Sequence, residues 1–354
     1  MSLNYIDYKN TQYLASLKTH NLLKNEILLS INDISGILTI PPSIYNSLQL
    51  QDDNPTLTND EIFRKLQLIL PKKSQNLVYL SHGHAGHKSY CYLAITSRLL
   101  AQHLNYFAFR FDFKGCGDSK DNENHHIIGR LIEHDIDCLD ILFNHFDTNF
   151  TLFNNFAIIA HSRGSIAMFK WALKFQLQNP SKPLPHLINC SGRFNSKKLA
   201  ESFLSNPITK HQWETKNGIH VKCYKNGNYN FNSFVPKNET IHLSSHDMSP
   251  IKDISKDVKI LSIYGSNDQI IPKNDAFTYD SVLNLDLHHN NKRHFLEWID
   301  DADHNFYGIT VINNENKSIK NPNNYPLNAR SKINYNYRVA EIILNFFLQI
   351  TTPQ

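Results

Sequence analysis

Phe156–Ser165 reads FAIIAHSRGS, and this stretch decides the fold. It opens with an apolar run that is too short for a helix and suits a strand buried on both faces. The residues that follow, 166–173, read IAMFKWAL and favour a helix. Ser162 therefore falls where a strand turns into a helix, with Ala160 two positions before it and Gly164 two positions after it. This spacing is that of a nucleophile elbow, with Ala in place of the first Gly.

The small residues around Ser162 have a physical reason. An elbow is tight and strained, so a bulky side chain two positions to either side would collide with neighbouring backbone. The helix N-terminus directs unpaired N–H groups and a partial positive charge toward the serine oxygen. An ordinary strand-to-helix loop can also carry a serine. The motif therefore needs a base, an acid and an oxyanion hole from other parts of the chain.

Composition bounds the class of protein. The chain has 354 residues, of which 41% are hydrophobic and 19% charged, enough for one large α/β domain or two small ones. The net charge is +4 and the Lys and Arg residues are scattered, which argues against nucleic-acid binding.

The five cysteines form no C-x-x-C pair, and we expect free thiols in the cytoplasm. We expect neither a signal peptide nor a membrane span. Nothing in the sequence indicates the oligomeric state.

Apolar runs and helix-forming segments alternate on both sides of the elbow. We predict a hairpin at 26–31 and 34–40, and further strands at 76–80, 106–112, 156–159, 186–190, 258–265 and 294–299. We predict helices at 60–70, 90–102, 128–144, 166–173, 275–290 and 339–348. This alternation is typical of the α/β class, with a mostly parallel central sheet and helices on both faces.

The alternation also suggests a domain organisation. The core is expected at 26–192 and 251–354, after an N-terminal extension at 1–25. Residues 43–72 are predicted to be a surface insertion, and residues 193–250, where the alternation stops, a small inserted cap. The cap contains aromatic residues that either face a substrate or, more simply, pack the cap itself: Trp213, Tyr224, Tyr229 and Phe231.

A base and an acid can be sought by position. In an open α/β sheet, functional groups gather at the carboxyl ends of the strands. Asp268 lies in the first turn after the strand at 258–265, where it could also cap the next helix. His304 follows the last strand closely, whereas His294 precedes that strand and falls at the wrong end. We therefore predict that His304 is the base for Ser162 and that Asp268 orients it.

The residues after the strand at 76–80 are candidates for the oxyanion hole. Residues 81–88 read SHGHAGHK, and a His-Gly loop after a strand can direct backbone N–H groups at a developing oxyanion. We predict the N–H groups of His84 and Arg163 as the donors. The spacing of His82, His84 and His87 superficially suits zinc. Because no Asp or Cys stands among them, we expect no metal and no cofactor.

With these parts in place, the chain resembles the α/β-hydrolase superfamily, and more narrowly the serine-aminopeptidase S33-type and feruloyl-esterase-like hydrolases. The motifs that carry the resemblance lie at 81–88, 110–119, 160–165, 265–272 and 303–306. The resemblance covers about residues 26–348. It implies Ser162 as nucleophile, His304 as base and Asp268 as its orienter. It also implies His84 and Arg163 as oxyanion donors, and a structural role for the loop at 110–119.

Three positions depart from the pattern of that family. Ala160 replaces the usual Gly, Arg163 stands where Met or Gln is frequent, and His84 stands where an aromatic residue is common. Arg163 and His84 either add polar side chains near the acyl site, which would favour a polar or anionic acyl group, or serve through their backbones alone.

The expected function is a serine hydrolase that cleaves a small-molecule carboxylic ester through an acyl-enzyme. Thioesterase, lactonase and peptidase activity on the same triad stay open, because the fold does not determine the substrate. A non-catalytic binding protein with this fold is the other alternative.

Overall fold

A central sheet organises the computed structural model, which describes residues 22–48, 58–197, 199–285, 292–311 and 330–352. The strands in chain order are β1 (Glu26–Ile31), β2 (Ile34–Thr39), β3 (Gln75–Ser81), β4 (Phe107–Phe111), β5 (Phe153–His161), β6 (His186–Cys190), β7 (Gly218–Lys225), β8 (Asn228–Pro236), β9 (Ile260–Gly265), β10 (His294–Ile299), β11 (Tyr307–Val311) and β12 (Arg330–Asn334). Eight of them form the central sheet, in the order β1-β2-β4-β3-β5-β6-β9-β10. The pairs β7–β8 and β11–β12 form separate hairpins.

The central sheet is mostly parallel, as predicted. Strands β1, β2 and β4 pair antiparallel, and every neighbouring pair from β4 to β10 is parallel. The predicted first hairpin is present. Its turn residues Asn32 and Asp33 have φ of 46° and 68°, which are the positive values that a two-residue hairpin turn needs.

Helices surround this sheet. In chain order they are α1 (Pro42–Ser47), α2 (Asn59–Ile69), α3 (Leu93–Leu99), α4 (His125–Ile128), α5 (Ile132–Asn149), α6 (Arg163–Gln178), α7 (Leu199–Leu204), α8 (Pro207–Lys216), α9 (Lys237–Ser244), α10 (Lys273–Leu283) and α11 (Asn336–Thr351). A π-helical segment, Leu100–Leu104, continues α3, and a 3₁₀ segment, Ser249–Asp253, follows α9.

The helices cover both faces of the sheet, and β5 shows how. Ile158 and Ala160 pack into the layer that contains α5, α6 and α10. Ala157 and Ile159 point the other way, into the layer of α3 and α11. All four side chains are fully buried. A strand covered on both faces needs apolar residues at every position, which explains the continuous run that opens the elbow sequence.

Several boundaries differ from the predictions. The helix predicted at 128–144 runs instead from Ile132 to Asn149, and the one predicted at 275–290 ends at Leu283, although 286–290 lie outside the described residues. Within the predicted insertion, α2 begins with a capping box between Thr58 and Glu61. Its apolar side buries Ile62, Phe63 and Leu66 against the main core.

The region predicted as a cap contains a hairpin that was not foreseen. Strands β7 and β8 meet at a turn where Asn226 and Gly227 have φ of 46° and 82°. Asn-Gly is the strongest short-range hairpin signal. Polar residues flank it on both strands, and this concealed the alternation that marks a strand. The second unpredicted hairpin is β11–β12. Most of the predicted N-terminal extension, 1–21, lies outside the described residues, as do 49–57 of the insertion.

All five cysteines are free. Among the described helices, none has the length and apolar character that a membrane span requires.

Candidate active site

Ser162 lies at a strained turn between β5 and α6. Its backbone has φ of 52° and ψ of −119°, a conformation that non-glycine residues rarely adopt. Its N–H donates to the carbonyl of Cys190 at 2.8 Å, and its own carbonyl accepts from the N–H of Ser165 at 3.0 Å. These bonds anchor the turn to β6 on one side and to the first turn of α6 on the other. The strand-turn-helix predicted from the sequence is therefore present.

The structure brings together the three side chains predicted to cooperate. Nε2 of His304 lies 3.0 Å from Oγ of Ser162, and Nδ1 of His304 lies 2.8 Å from Oδ2 of Asp268. The other carboxylate oxygen of Asp268 accepts from the N–H groups of Ile270 and Ile271, at 2.8 and 2.9 Å. Asp268 thus shapes its own loop and faces the imidazole at the same time. It does not cap α10, whose N-cap residue is Pro272.

The loops that carry Asp268 and His304 touch each other closely. A Cβ on Gly265 would lie 2.2 Å from the carbonyl oxygen of Ala302, so only glycine permits this approach. Asp303 folds the second loop, because its Oδ1 accepts from the N–H groups of Asn305 and Tyr307, each at 2.8 Å. Both loops leave the carboxyl ends of neighbouring parallel strands, β9 and β10, where an open sheet gathers functional groups.

The loop after β3 lies against the elbow. A Cβ on Gly83 would lie 2.9 Å from Cβ of Ser162, and one on Gly164 would lie 2.5 Å from the carbonyl oxygen of His82. Arg163 is the first residue of α6, where a backbone N–H has no acceptor within the helix. The two predicted oxyanion donors, His84 and Arg163, therefore belong to segments that adjoin Ser162.

The side chain of Arg163 is committed to a buried ion-pair network. Its Nε lies 3.0 Å from Oδ2 of Asp135, and its Nη1 lies 2.8 Å from Oε1 of Glu239. Arg130 lies 2.7 Å from the other oxygen of Asp135. Two guanidinium groups and two carboxylates thus balance each other. Nδ1 of His84 lies 3.8 Å from Glu239, and burial lowers the pKa of His84 to about 4, so this imidazole is neutral near pH 7.

A second histidine lies beside the predicted base. The rings of His161 and His304 have centroids 5.1 Å apart. Burial holds the pKa of His161 well below its usual value, and the neighbouring His304 lowers it further. His161 is therefore neutral and adds an uncharged wall next to His304. Sequence reasoning did not single it out.

Ser162 and His304 open into a cavity of about 450 Å³. The region predicted as a cap contributes Leu199, Thr240 and Leu243 to its wall, and the core contributes apolar residues that include Ile166 and Ile270. A cavity of this size and lining accommodates a small organic molecule.

The four cap aromatics considered as substrate contacts do not line this cavity. Trp213 packs against Ile219 and Val235. The hydroxyl of Tyr224 donates to Asp118 at 2.8 Å, while Tyr229 and Phe231 are exposed.

The histidines with zinc-like spacing do not form a ligand cluster. Nε2 of His82 accepts from the N–H of Phe113 at 3.1 Å, so this ring supports the loop. Among the described residues, the side chains close enough to share an ion are Glu133, His242 and His246, and none of these belongs to the loop.

The loop at 110–119 has a filled interior. The carboxylate of Asp112 accepts from the N–H of Asp118 at 2.8 Å and pairs with Nζ of Lys88 at 2.6 Å. A Cβ on Gly117 would lie 2.2 Å from Cγ of Asp112. The loop is thus held together by contacts among its own residues and with Lys88, as expected for the structural role implied by the resemblance.

A second serine, histidine and aspartate set occurs in the core. Nε2 of His294 lies 2.8 Å from Oγ of Ser262, and Nδ1 of His294 lies 2.9 Å from Oδ1 of Asp280. Ser262 lies within β9, is fully buried, and also accepts from Nδ2 of Asn189 at 3.0 Å. It has neither a strained turn nor a place in the wall of the cavity. Sequence reasoning correctly placed His294 at the other end of β10 but did not foresee these contacts.

Comparison with known proteins finds one similarity in sequence and others in fold. The protein YDL057W of Saccharomyces cerevisiae is 30% identical over 283 residues, which cover 77% of this chain and 79% of the yeast protein. No family model matches the chain.

Among solved structures, Est1E from Butyrivibrio proteoclasticus has a TM-score of 0.54 at 12% identity, covering 92% of this chain and 98% of Est1E. A thermophilic esterase from Thermogutta terrifontis has a TM-score of 0.50 at 13% identity, covering 92% of this chain and 99% of the esterase. At this identity the likeness concerns the fold, and it agrees with the strand order and the elbow described above. The chain therefore has the α/β-hydrolase fold, and it belongs to the family of the yeast protein YDL057W.

Proposed function

We propose that this protein is a serine hydrolase that cleaves a carboxylic ester through an acyl-enzyme. One observation carries the proposal: the hydrogen-bonded chain from Ser162 through His304 to Asp268, with distances of 3.0 and 2.8 Å, stands at an elbow that opens into the cavity. The set around Ser262 has similar contacts but is buried and does not line the cavity. Of these two serines, Ser162 is the one that combines such contacts with space for a substrate.

The chemistry follows from these contacts. A serine hydroxyl is a weak nucleophile near neutral pH, so His304 takes its proton as Ser162 attacks the ester carbonyl. Asp268 keeps the imidazole in the tautomer whose Nε2 accepts that proton, and stabilises the imidazolium that forms. The N–H groups of His84 and Arg163 stabilise the oxyanion of the tetrahedral intermediate.

The intermediate then collapses. The C–O bond to the alcohol breaks, His304 returns the proton to the departing oxygen, and the acyl group stays on Ser162. A water molecule, deprotonated by His304, attacks the acyl-enzyme in the same way and releases the acid.

The choice of an ester is supported by two solved structures with this fold. One is a thermophilic esterase, and the other is Est1E with ferulic acid bound. Thioester, lactone and peptide hydrolysis use the same triad, so substrates with each of these bonds are to be assayed beside the esters. We further propose that residues 193–250 act as a cap over the acyl site, since Leu199, Thr240 and Leu243 line the cavity.

A fluorophosphonate probe tests the mechanism. The wild-type protein should be labelled at Ser162 and should hydrolyse 4-nitrophenyl esters. Ser162→Ala should lose both labelling and turnover. Ser262→Ala is the matched control, because Ser262 also contacts a histidine yet lies buried, and it should keep both properties. Full activity in Ser162→Ala would refute the proposal, and so would failure of the probe to label the folded wild-type protein.

A further inference from the structure

Arg193 follows β6 and lines the same cavity as Ser162 and His304. It is only 8% exposed. One nitrogen of its guanidinium, Nη2, donates to the carbonyl of Ile270 at 2.5 Å. Among the described residues, no carboxylate forms an ion pair with it within 4.0 Å. Arg193 is thus a nearly buried cation in the wall of the cavity that Ser162 also lines, and it has no close counter-ion among the described residues.

The nearest carboxylates have other partners. Glu239, on the cavity wall, lies 2.8 Å from Arg163. Asp268 lies 2.8 Å from His304 and accepts two backbone N–H groups with its other oxygen. Asp275 accepts from the N–H groups of residues 194 and 195, at 2.9 and 3.2 Å. Each of these carboxylates therefore has hydrogen-bond or ion-pair partners of its own, but Asp275 and Asp268 also attract Arg193 through space.

The backbone at Arg193 is held in place. The hydroxyl of Tyr279 donates to its carbonyl at 3.0 Å, and the hydroxyl of Tyr264 donates to the carbonyl of Gly192 at 2.7 Å. The contact with Ile270 further orients the guanidinium. A preorganised group of this kind loses little freedom when a ligand binds.

A buried arginine stays charged, and a buried charge without a partner is costly. Its planar fork of N–H donors matches the two oxygens of a carboxylate. Building on the proposed function, we infer that Arg193 binds a carboxylate group of the substrate, so that the preferred substrate is an ester carrying a second, free carboxylate. A singly charged anion suits the site better than a phosphate dianion, because Glu239 also lines the cavity and, of the two arginines among its described lining residues, Arg193 alone has no ion pair.

The test compares matched esters. Mono-4-nitrophenyl esters of the C4 to C8 dicarboxylic acids carry a terminal carboxylate, and 4-nitrophenyl alkanoates of equal length do not. For at least one length, the wild-type enzyme should have a higher kcat/KM on the charged ester. Arg193→Gln should lower kcat/KM on the charged ester by about 10- to 100-fold, the range for charge-assisted hydrogen bonds. The loss should come mainly from a higher KM. For the neutral ester, kcat/KM should change by less than about threefold. A set of 3-carboxyphenyl alkanoates tests a carboxylate on the alcohol side.

Two further variants separate the role of the guanidinium from the effect of its charge and from unspecific effects of substitution. Arg193→Lys keeps the charge but not the fork, so it should fall between the wild type and Arg193→Gln on the charged esters. Arg338→Gln is the control, because Arg338 is exposed and pairs with Glu341 on α11, and it should change neither ester series. An equal loss on charged and neutral esters in Arg193→Gln would mean that Arg193 only positions the loop of Asp268. That outcome, or no preference for any charged ester in the wild type, would overturn the inference.

A binding measurement separates this inference from the proposed function. In Ser162→Ala, which cannot turn over substrate, dicarboxylates of the preferred length should raise the melting temperature, and Ser162→Ala combined with Arg193→Gln should lose that shift. If the shift is present while no hydrolysis of any ester is seen in the wild type, the proposed reaction fails and the carboxylate site stands. If hydrolysis of neutral esters is normal and the shift is absent, the carboxylate site fails alone.

Discussion

Ser162 and Ser262 have nearly the same polar partners and very different surroundings. Each hydroxyl lies 2.8 to 3.0 Å from an imidazole that also contacts a carboxylate. Ser262 lies inside a regular strand and is fully buried, so its hydroxyl only satisfies neighbouring polar groups. Ser162 has a strained φ of 52° and lines a cavity. Strain that the surrounding structure has to maintain is characteristic of functional positions.

Asp268→Asn tests the predicted role of that carboxylate. The asparagine oxygen can still accept from the N–H groups of Ile270 and Ile271, so the loop should keep its shape. Its amide N–H₂ would face Nδ1 of His304 and donate to it, which leaves the proton on Nε2 and prevents that atom from accepting one from Ser162. We expect kcat to fall by about 10⁴, as in the analogous protease triad, without a matching loss of stability.

Steady-state kinetics and thermal unfolding of the same preparations measure this effect. Asp280→Asn is the control, because Asp280 contacts His294 in the buried set and should leave kcat unchanged. Near-wild-type turnover of Asp268→Asn would show that another group orients the base.

At the scale of single elements, the elbow depends on close contact between α6 and the loop after β3. The first turn of α6 approaches the carbonyl oxygen of His82 so closely that Gly164 has no room for a side chain. This contact holds the N–H of Arg163 near the loop that carries His84. The oxyanion hole proposed above thus depends on two backbone segments packed without an intervening side chain.

Gly164→Ala tests that contact. Its Cβ would lie 2.5 Å from a backbone oxygen, which a side-chain rotation cannot relieve. We expect a loss of about 1–3 kcal/mol in the free energy of unfolding, and a lower kcat/KM because the N–H groups shift relative to Ser162. Urea denaturation and ester hydrolysis measure the two effects.

Gly227→Ala provides the comparison. Gly227 has φ of 82° in the β7–β8 turn, and nothing lies within 4 Å of the site of a new Cβ. It should cost about 1 kcal/mol from backbone strain alone and leave kcat/KM unchanged. A Gly164→Ala protein as stable and active as the wild type would contradict the described contact.

Helix α9 contributes a buried carboxylate to the ion-pair network of the core. Glu239, in its first turn, pairs with Arg163 at 2.8 Å and accepts from the N–H of Arg130 at 2.8 Å. The backbone N–H of Arg163 is the proposed oxyanion donor, while its side chain joins α6 to α9. This explains why Arg163 can replace an uncharged residue at that position without adding a net charge to the cavity.

At the scale of the whole molecule, Glu26 ties three elements together. It lies in β1, and its carboxylate pairs with Arg98 of α3 and Arg110 of β4, at 2.8 and 2.7 Å. Burial by itself would raise the pKa of Glu26, but the hydrogen bonds and charges of the two arginines prevail and lower it from 4.5 to about 2. The edge hairpin is thus attached to the sheet and its covering helix by a charged cluster.

This shift predicts a pH dependence of stability. A carboxylate with a depressed pKa in the folded state stabilises the protein above its unfolded pKa, and this contribution is lost as the pH falls from about 4.5 to about 2. Its size is roughly 3 kcal/mol. Denaturant unfolding at a series of pH values in this range should show the decline.

Glu26→Gln should remove much of that decline. It should also destabilise the protein near pH 7 by about 3–5 kcal/mol, since two buried guanidinium groups lose their counter-ion. Glu341→Gln, at an exposed pair on α11, should change little. An unchanged pH dependence in Glu26→Gln would mean that other carboxylates cause the acid sensitivity.

The sequence alone determined the chain order of the eight strands of the central sheet and of six helices, the elbow, and the loops in which Ser162, Asp268 and His304 had to be sought, but not the hairpins β7–β8 and β11–β12. These are local properties, because apolar periodicity, small residues at a tight turn and position after a strand can all be read along the chain. The catalytic roles of these three residues stay predictions.

Tertiary structure decided what depends on distant partners. Ser162 and His304 are separated by 142 positions, and their 3.0 Å contact exists only because β5 and β10 end at the same edge of one sheet. Tertiary packing likewise decides that Arg163 is neutralised and that Ser262 is buried. It also decides that Arg193 has no close counter-ion within the described part of the chain. The charge and hydrogen bonds of a side chain depend on which groups surround it after folding, and sequence spacing does not encode those neighbours.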